Sequence, residues 1–222
     1  LPNYPFDNKR YWFREATGLP APRVALAGHP MVGRLLDSPE IDGSVYETVL
    51  TSDDPDHIAD HRLFGVTVAA GATHVAMVGA AVEEALGWER CTIGPVYFQR
   101  PLVVPSEGGV RVQISVQAGS DAHHRSFRIF SEKAGESDWD LNSYGTITED
   151  TEPAEFDAID NSVLAGERGA ADFYDVYCAQ GYDLGPSYRW VESIAFGHGQ
   201  AKAILKHPEG IAPDGFRIHP GA

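Results

Sequence analysis

One segment constrains the fold of this chain more than any other: the run GATHVAMVGAAVEEAL, residues 71 to 86. Valine or leucine recurs in it at spacings of three and four residues, with alanine between, which predicts a helix that is apolar on most sides. Gly87 is a typical C-terminal end for it. Such a helix must be covered by other structure, so we expect it to be buried. The recurring positions are Val75, Val78, Val82 and Leu86.

Strand-like segments lie on both sides of this helix. Apolar and polar residues alternate in SVYETVL (44–50) and VRVQISV (110–116), and SFRIFS (126–131) and SYGTIT (143–148) are similar. We predict that an antiparallel sheet containing 45–50, 110–116 and 126–131 wraps the helix. A central helix wrapped by antiparallel strands is an α+β arrangement of the hotdog kind.

The pattern begins a second time after an acidic, weakly patterned stretch. We predict a linker over 1–23, a first hotdog over 24–150, a second linker over 151–169 and the start of a second hotdog over 170–222. The second block contains a predicted helix, Ala171 to Gln180, and a strand-like pair, 190–196 and 200–205. It reaches Ala222 without a central helix, so we expect an incomplete second half and a natural polypeptide that continues.

Composition limits the classes of partner. The net charge of −15 argues against a nucleic-acid surface, which needs clustered lysine and arginine. No apolar run is long enough to cross a bilayer, and no membrane partner is expected. Cys91 and Cys178 have no metal-like spacing, so we expect no metal and a cytoplasmic location.

A histidine stands just before the helix, in DHRLFGVTVAAGA (60–72). This segment resembles the HxxxGxxxxPG signature of the dehydratase domains of modular polyketide synthases: His61, Gly65 and Gly71 match, and Ala70 stands at the usual proline. Four further landmarks follow in the family's order. They are the linker-like LPNYPFDNKRYWF (1–13), GHPMVG (28–33) for HPLLG, GYDLGPSYR (181–189) for GxxYGPxFQ, and IHPGA (218–222) for HPxLLD.

The resemblance implies a double hotdog and a hydro-lyase. In that family the acyl chain arrives on the phosphopantetheine of an acyl carrier protein, and no dissociable cofactor takes part. The histidine at the position of His61 removes the α-proton of a 3-hydroxyacyl thioester, and an aspartate of the second half protonates the departing hydroxyl. The implied partners are the carrier protein and neighbouring synthase domains, and a homodimer is left open.

The residue types suit this chemistry. Taking a proton from carbon needs a base whose pKa lies near neutrality, as that of imidazole does. The N-terminus of the 71–86 helix offers free N–H groups to an enolate-like oxygen, and Gly71 would let the substrate approach. We therefore expect His61 as the base in an apolar tunnel.

Other residues are assigned smaller roles. Tyr182 and Tyr188, beside Gly185, line the tunnel or belong to the core, and Pro186 shapes a turn. His74 is expected to be a satisfied core histidine. Asp60 faces away from His61, because adjacent residues of an extended segment point apart. His29 and His219 are expected to be structural landmarks, and His123 and His124 a solvated turn.

Two departures from the family pattern keep alternatives open. Ala70 replaces a proline, a loss seen in family members that move a double bond, and Leu184 replaces the tyrosine of YGP. The chain is therefore interpreted as a dehydratase domain, with an isomerase that shifts the double bond from α,β to β,γ as the alternative. A thioesterase would need a carboxylate near the helix start, whereas Glu83 and Glu84 lie at its far end. An inactive structural domain is the non-enzymatic alternative.

Overall fold

The computed structural model describes residues 29, 31–132, 138–150, 152, 160–211 and 216–222. The predicted linker over 1–23 lies outside the described residues. The first half begins with a short strand and a long one, followed by a short 3-10 helix, a small hairpin and the predicted helix. Its elements are β1 (Arg34–Leu35), β2 (Ser44–Thr51), a 3-10 helix (Asp56–Asp60), β3 (His61–Leu63), β4 (Val66–Thr67), α1 (Gly71–Leu86), β5 (Cys91–Phe98), β6 (Gly109–Ala118), β7 (His124–Glu132) and β8 (Trp139–Glu149).

Six of these strands form one antiparallel sheet that packs on α1. The strand order is β1-β2-β6-β7-β8-β5, and alternate residues of the central strands face the helix. Ile114 of β6, for example, lies opposite Tyr46 of β2 and Ile129 of β7, and all three side chains are buried. On the helix, Met77, Val78, Ala81 and Val82 are buried against this face. The prediction of a buried helix wrapped by antiparallel strands is confirmed.

The sequence pattern did not predict β5, the edge strand beside β8. Gly94 and Pro95 interrupt it, and its register with β8 shifts between Ile93 and Val96. Glycine and proline normally weaken a strand, and proline within one is confined to edges and bulges. The edge position explains how this segment stays in the sheet despite both residues.

The second half contains a helix and two small sheets. The helix begins one residue before the predicted start, and the strand pair lies where it was predicted. The predicted linker 151–169 contains a strand, because residues 166–169 are hydrogen-bonded to the first strand of this pair, residues 191–197. Its elements are a 3-10 turn (Asn161–Val163), β9 (Gly166–Gly169), α2 (Ala170–Ala179), β10 (Tyr182–Leu184), a 3-10 turn (Pro186–Tyr188), β11 (Val191–Gly197) and β12 (Gln200–Leu205).

The two halves are joined directly. Strand β10 of the second half pairs with β3 of the first, which is also paired with β4, so three short strands form one sheet across the junction. The register places Leu184 opposite His61. The halves therefore meet at the predicted catalytic histidine.

Two turns repeat the same hydrogen bonds in the two halves. His29 Nδ1 accepts from the backbone N–H of Met31 at 3.3 Å, and His219 Nδ1 accepts from that of Gly221 at 3.0 Å. The backbone carbonyl of each histidine accepts from the N–H three residues later. Both rings are thus used to shape a turn, as expected for structural landmarks.

Candidate active site

His61 is held by the hairpin that follows it. The turn between β3 and β4 consists of Phe64 and Gly65, with φ of 52° and 80°, a left-handed geometry that glycine adopts without strain. This turn brings Val68 back beside His61. The His61 ring Nδ1 lies 2.8 Å from the Val68 carbonyl oxygen, and the Val68 N–H donates to the His61 carbonyl at 3.1 Å.

The bond to Val68 fixes the tautomer of His61. A carbonyl oxygen only accepts hydrogen bonds, so Nδ1 carries the hydrogen and donates it. The lone pair of the neutral ring is then on Nε2, which is the arrangement a general base needs. Burial lowers the pKa of His61 below 6.5, against a smaller raising effect of the Val68 bond. The ring is therefore neutral and basic at pH 7.

Tyr188 of the second half covers the His61 ring. The two ring centroids are 5.0 Å apart at an interplanar angle of 46°. The tyrosine is buried, and its hydroxyl lies 3.3 Å from the Thr73 hydroxyl in the first turn of α1. Burial raises the pKa of Tyr188 to about 12, so the hydroxyl stays protonated. His61, Tyr188 and the start of α1 thus lie close together.

The start of α1 has no side-chain cap. Its N-cap residue Ala70 makes no capping hydrogen bond, so the first N–H groups of the helix remain available to an acceptor. The φ of Ala70 is −62° and ψ is 154°, which is the geometry that proline fixes. The chain therefore keeps a proline-like backbone at this position without the proline.

Gly71 lies against an aromatic ring. A side chain at this position would meet the Phe98 ring at 3.1 Å. Phe98 itself is 56% exposed, at the end of edge strand β5. The small size of Gly71 is therefore used for packing against Phe98.

The GYDLGPSYR motif divides between two environments. Leu184 lies opposite His61 on β10, Gly185 follows it, and Pro186 opens the 3-10 turn that carries Tyr188. Tyr182 instead packs on Tyr177 of α2, with ring centroids 5.7 Å apart. The structure brings Tyr188 to His61, whereas Tyr182 packs on α2.

Three other histidines have side-chain partners. His74 Nδ1 lies 2.8 Å from the Ser143 hydroxyl in the core, and burial lowers the pKa of His74 to about 4. His123 and His124 are on the surface, where they pair with Glu149 and Asp121 at 2.8 Å. The expectations of a satisfied core histidine and of a solvated turn agree with these positions.

Sequence reasoning missed three groups next to His61 or Tyr188. The Val68 carbonyl belongs to the backbone, and no residue type marks it. Thr73 appears in the sequence as one more helix residue. His57 is fully buried, and neither ring nitrogen has a hydrogen-bond partner among the described residues. Its ring lies 6.3 Å from that of Tyr188.

The described residues contain neither a metal-binding cluster nor a membrane-spanning helix. Within the described ranges, no group of three or more histidine, cysteine, aspartate or glutamate side chains is placed to hold a metal ion. None of the helices in that same part of the chain is long and apolar enough to span a membrane.

Two sequence profiles of one family match most of the chain. Residues 29–132 match the profile described as polyketide synthase dehydratase domain. Residues 155–222 match the profile described as polyketide synthase dehydratase N-terminal domain.

Curated relatives are much longer than this chain. It is 28% identical over 226 residues to mycoketide-CoA synthase of Mycobacterium tuberculosis, an alignment of 99% of the chain but 5% of the relative. It is 29% identical over 238 residues to polyketide synthase GfsE of Streptomyces halstedii, covering 99% of the chain and 6% of the relative. The chain therefore corresponds to a small part of these proteins.

Solved dehydratase domains have the same fold. The dehydratase domain from the CurF module of curacin polyketide synthase superposes with a TM-score of 0.79 at 20% identity, over 87% of this chain and 72% of that one. The dehydratase domain from the terminal module of the rifamycin polyketide synthase gives 0.75 at 27% identity, over 89% and 74%. These matches confirm the predicted double hotdog class.

Proposed function

The chain belongs to the polyketide synthase dehydratase domain family, and from that premise we propose that it eliminates water from a 3-hydroxyacyl thioester on an acyl carrier protein. The product is the α,β-enoyl thioester, still on the phosphopantetheine arm. The observation that carries the proposal is the His61–Val68 hydrogen bond, because it leaves the lone pair of a neutral, partly buried imidazole on Nε2.

In the proposed step His61 Nε2 takes the α-proton. The electron pair of the Cα–H bond moves towards the thioester, and negative charge develops on its carbonyl oxygen. The uncapped N–H groups at the start of α1 stabilise this charge in the proposed step. The electron pair then forms the Cα–Cβ double bond as the Cβ–O bond breaks, and the hydroxyl leaves as water after gaining a proton.

The departing hydroxyl needs an acid, since hydroxide is a poor leaving group. The family pattern places this acid in the second half, after the segment that resembles HPxLLD. We assign none of the described carboxylates as the acid that protonates the hydroxyl. The reaction balances as substrate giving enoyl thioester and water. It therefore requires no electron transfer and no redox cofactor.

Isomerisation is the weaker alternative. A missing proline at position 70 would favour it by freeing the backbone before α1, whereas Ala70 keeps a φ of −62°. The replacement of the family's tyrosine by Leu184 still favours isomerisation, but it removes only one hydroxyl group. The proposed partners follow from dehydration: an acyl carrier protein that delivers the substrate and the neighbouring domains of a synthase.

Replacement of the base tests the proposal. We expect His61→Ala, in the full polypeptide, to lower turnover of a carrier-bound 3-hydroxyacyl thioester by about a hundredfold or more. Mass spectrometry of the carrier-bound product follows the loss of water. His123→Ala, which removes a surface histidine, is the matched control. Activity of His61→Ala within about threefold of wild type would show that another group is the base.

A further inference from the structure

Asp60 makes contacts across the junction of the two halves with both its carboxylate and its backbone. Its Oδ2 accepts the backbone N–H of Ser187 at 2.9 Å, and its backbone carbonyl accepts that of Gly185 at 2.8 Å. A side chain at Gly185 would come within about 2.1 Å of Asp60 Oδ1, so only glycine fits there. The carboxylate thus holds the turn 185–188 by two routes, a hydrogen bond and close packing.

This turn determines where Tyr188 lies. The Tyr188 N–H donates to the Gly185 carbonyl at 3.0 Å, which closes the turn and directs the ring onto His61. Asp60 is adjacent to His61 in sequence, and its carboxylate accepts from the Ser187 N–H, whereas the His61 ring bonds to the Val68 carbonyl. Asp60 thus contacts residues more than a hundred positions later in the chain.

We propose that Asp60 is a positioning residue for the proposed dehydration: it holds the turn 185–188 so that Tyr188 covers His61 and excludes water from it. The proposal rests on His61 being the base. An ionised carboxylate that accepts a backbone N–H forms a charge-assisted bond, which is stronger than a neutral one. Without it the turn loosens and the ring no longer covers His61.

The consequence for His61 is measurable. Burial is the main cause of its lowered pKa, and Tyr188 is a titratable side chain packed directly against it. Losing the Tyr188 ring admits water, which moves the pKa of His61 up towards 6.5. It also exposes the ring to reagents. A variant that only lowered the amount of folded protein would change neither the pKa of His61 nor its reactivity in the molecules that remain folded.

Histidine modification by diethylpyrocarbonate reports both quantities. The reagent attacks neutral imidazole, and peptide mass spectrometry gives the rate at His61 across a pH series in the full polypeptide. We expect Asp60→Ala to raise the modification rate of His61 severalfold. The midpoint of its pH dependence should move to higher pH. Asp60→Asn keeps an oxygen acceptor for the Ser187 N–H and should stay near wild type. Asp56→Ala, in the same 3-10 helix, is the matched control.

Activity gives a second measurement. We expect Asp60→Ala to lower kcat/KM about tenfold or more, the effect of one lost charge-assisted hydrogen bond. Wild-type polypeptide that fails to dehydrate the substrate would refute the proposed function, whereas the labelling of His61 still tests the positioning role. Wild-type labelling in Asp60→Ala would overturn that role.

The buried core histidine His74 monitors folding in the same samples. If His74 becomes reactive in Asp60→Ala, the comparison passes to Gly185→Ala, which keeps the Asp60 residue but forces it and the turn apart. Labelling of His61 without His74 in that variant supports the proposal. Labelling of both histidines in both variants overturns it, because Asp60 then maintains the whole fold.

Discussion

Replacing His57 by phenylalanine should stabilise the protein, and more so in acid. The His57 ring is 0% exposed, and both of its nitrogens lack hydrogen-bond partners within the described residues. Its neighbours are aromatic: the rings of Phe216 and His219 lie 5.5 Å and 5.4 Å away. An unsatisfied buried polar group lowers the free energy of unfolding by about 1–3 kcal/mol, and an apolar ring has no such penalty. Allowing for the larger ring, we expect a gain of about 1 kcal/mol at pH 7.

The acid effect follows from the pKa of His57. Burial, with repulsion from His219, lowers it from 6.5 to about 4, so the unfolded chain binds protons more readily than the folded one. The stability of wild type therefore rises with pH between about 4 and 6.5 and is lost as pH falls through that window. At about 1.4 kcal/mol per tenfold change in proton affinity, His57 alone costs wild type about 2.5 kcal/mol by pH 4.5.

Urea unfolding at pH 7, 5.5 and 4.5 measures this difference. The advantage of His57→Phe over wild type should grow from about 1 kcal/mol to between about 3 and 4 kcal/mol. His74→Phe is the matched control: it removes a second histidine with a pKa of about 4, but also breaks the bond to Ser143, so it should be destabilised by about 1–3 kcal/mol at pH 7. An advantage of His57→Phe that stays constant with pH would refute the reasoning.

Three further predictions concern the site itself. The rate constant kcat/KM should rise with pH as His61 loses its proton, with the midpoint below 6.5 because burial lowers this pKa; a midpoint above 6.5 in a pH–rate profile would contradict it. Ala70→Pro should raise the free energy of unfolding by about 0.4–1 kcal/mol and leave the product unchanged, as thermal melting and product analysis would show. Tyr188→Phe and Thr73→Val should each lower kcat by about two- to tenfold, and the double variant by no more than the larger single effect, since they share one hydrogen bond.

Local pattern was sufficient for the main elements of the fold. The spacing of valines from Val75 to Val82 predicted α1, and alternation predicted β2, β6 and β7, because these elements bury one face or most of their surface. Strand β5 was missed because Gly94 and Pro95 break its alternation. Strand β9 has the sequence GERG, which shows no strand pattern. It is a strand only because it pairs with β11.

The site was predictable only in part, and for a physical reason. His61 and Tyr188 were identified by motifs, whereas their relation was not, since it depends on the fold of both halves. Thr73 and Tyr188 are 115 residues apart, and their hydroxyls share a hydrogen bond that no local spacing encodes. The proposed role of Asp60 has the same origin. The sequence places Asp60 next to His61, but nothing in it shows that the Asp60 carboxylate bonds to Ser187.

The junction at Asp60 also has a consequence for synthesis on the ribosome. The Ser187 N–H that Asp60 binds lies 127 residues downstream, so at about 5–20 residues per second it is made roughly 6–25 s after Asp60. During this interval α1 and the strands around it can already fold, while His61 remains solvated, without Tyr188. The hydrophobic environment of His61 is therefore completed only when the second half has been made and docks.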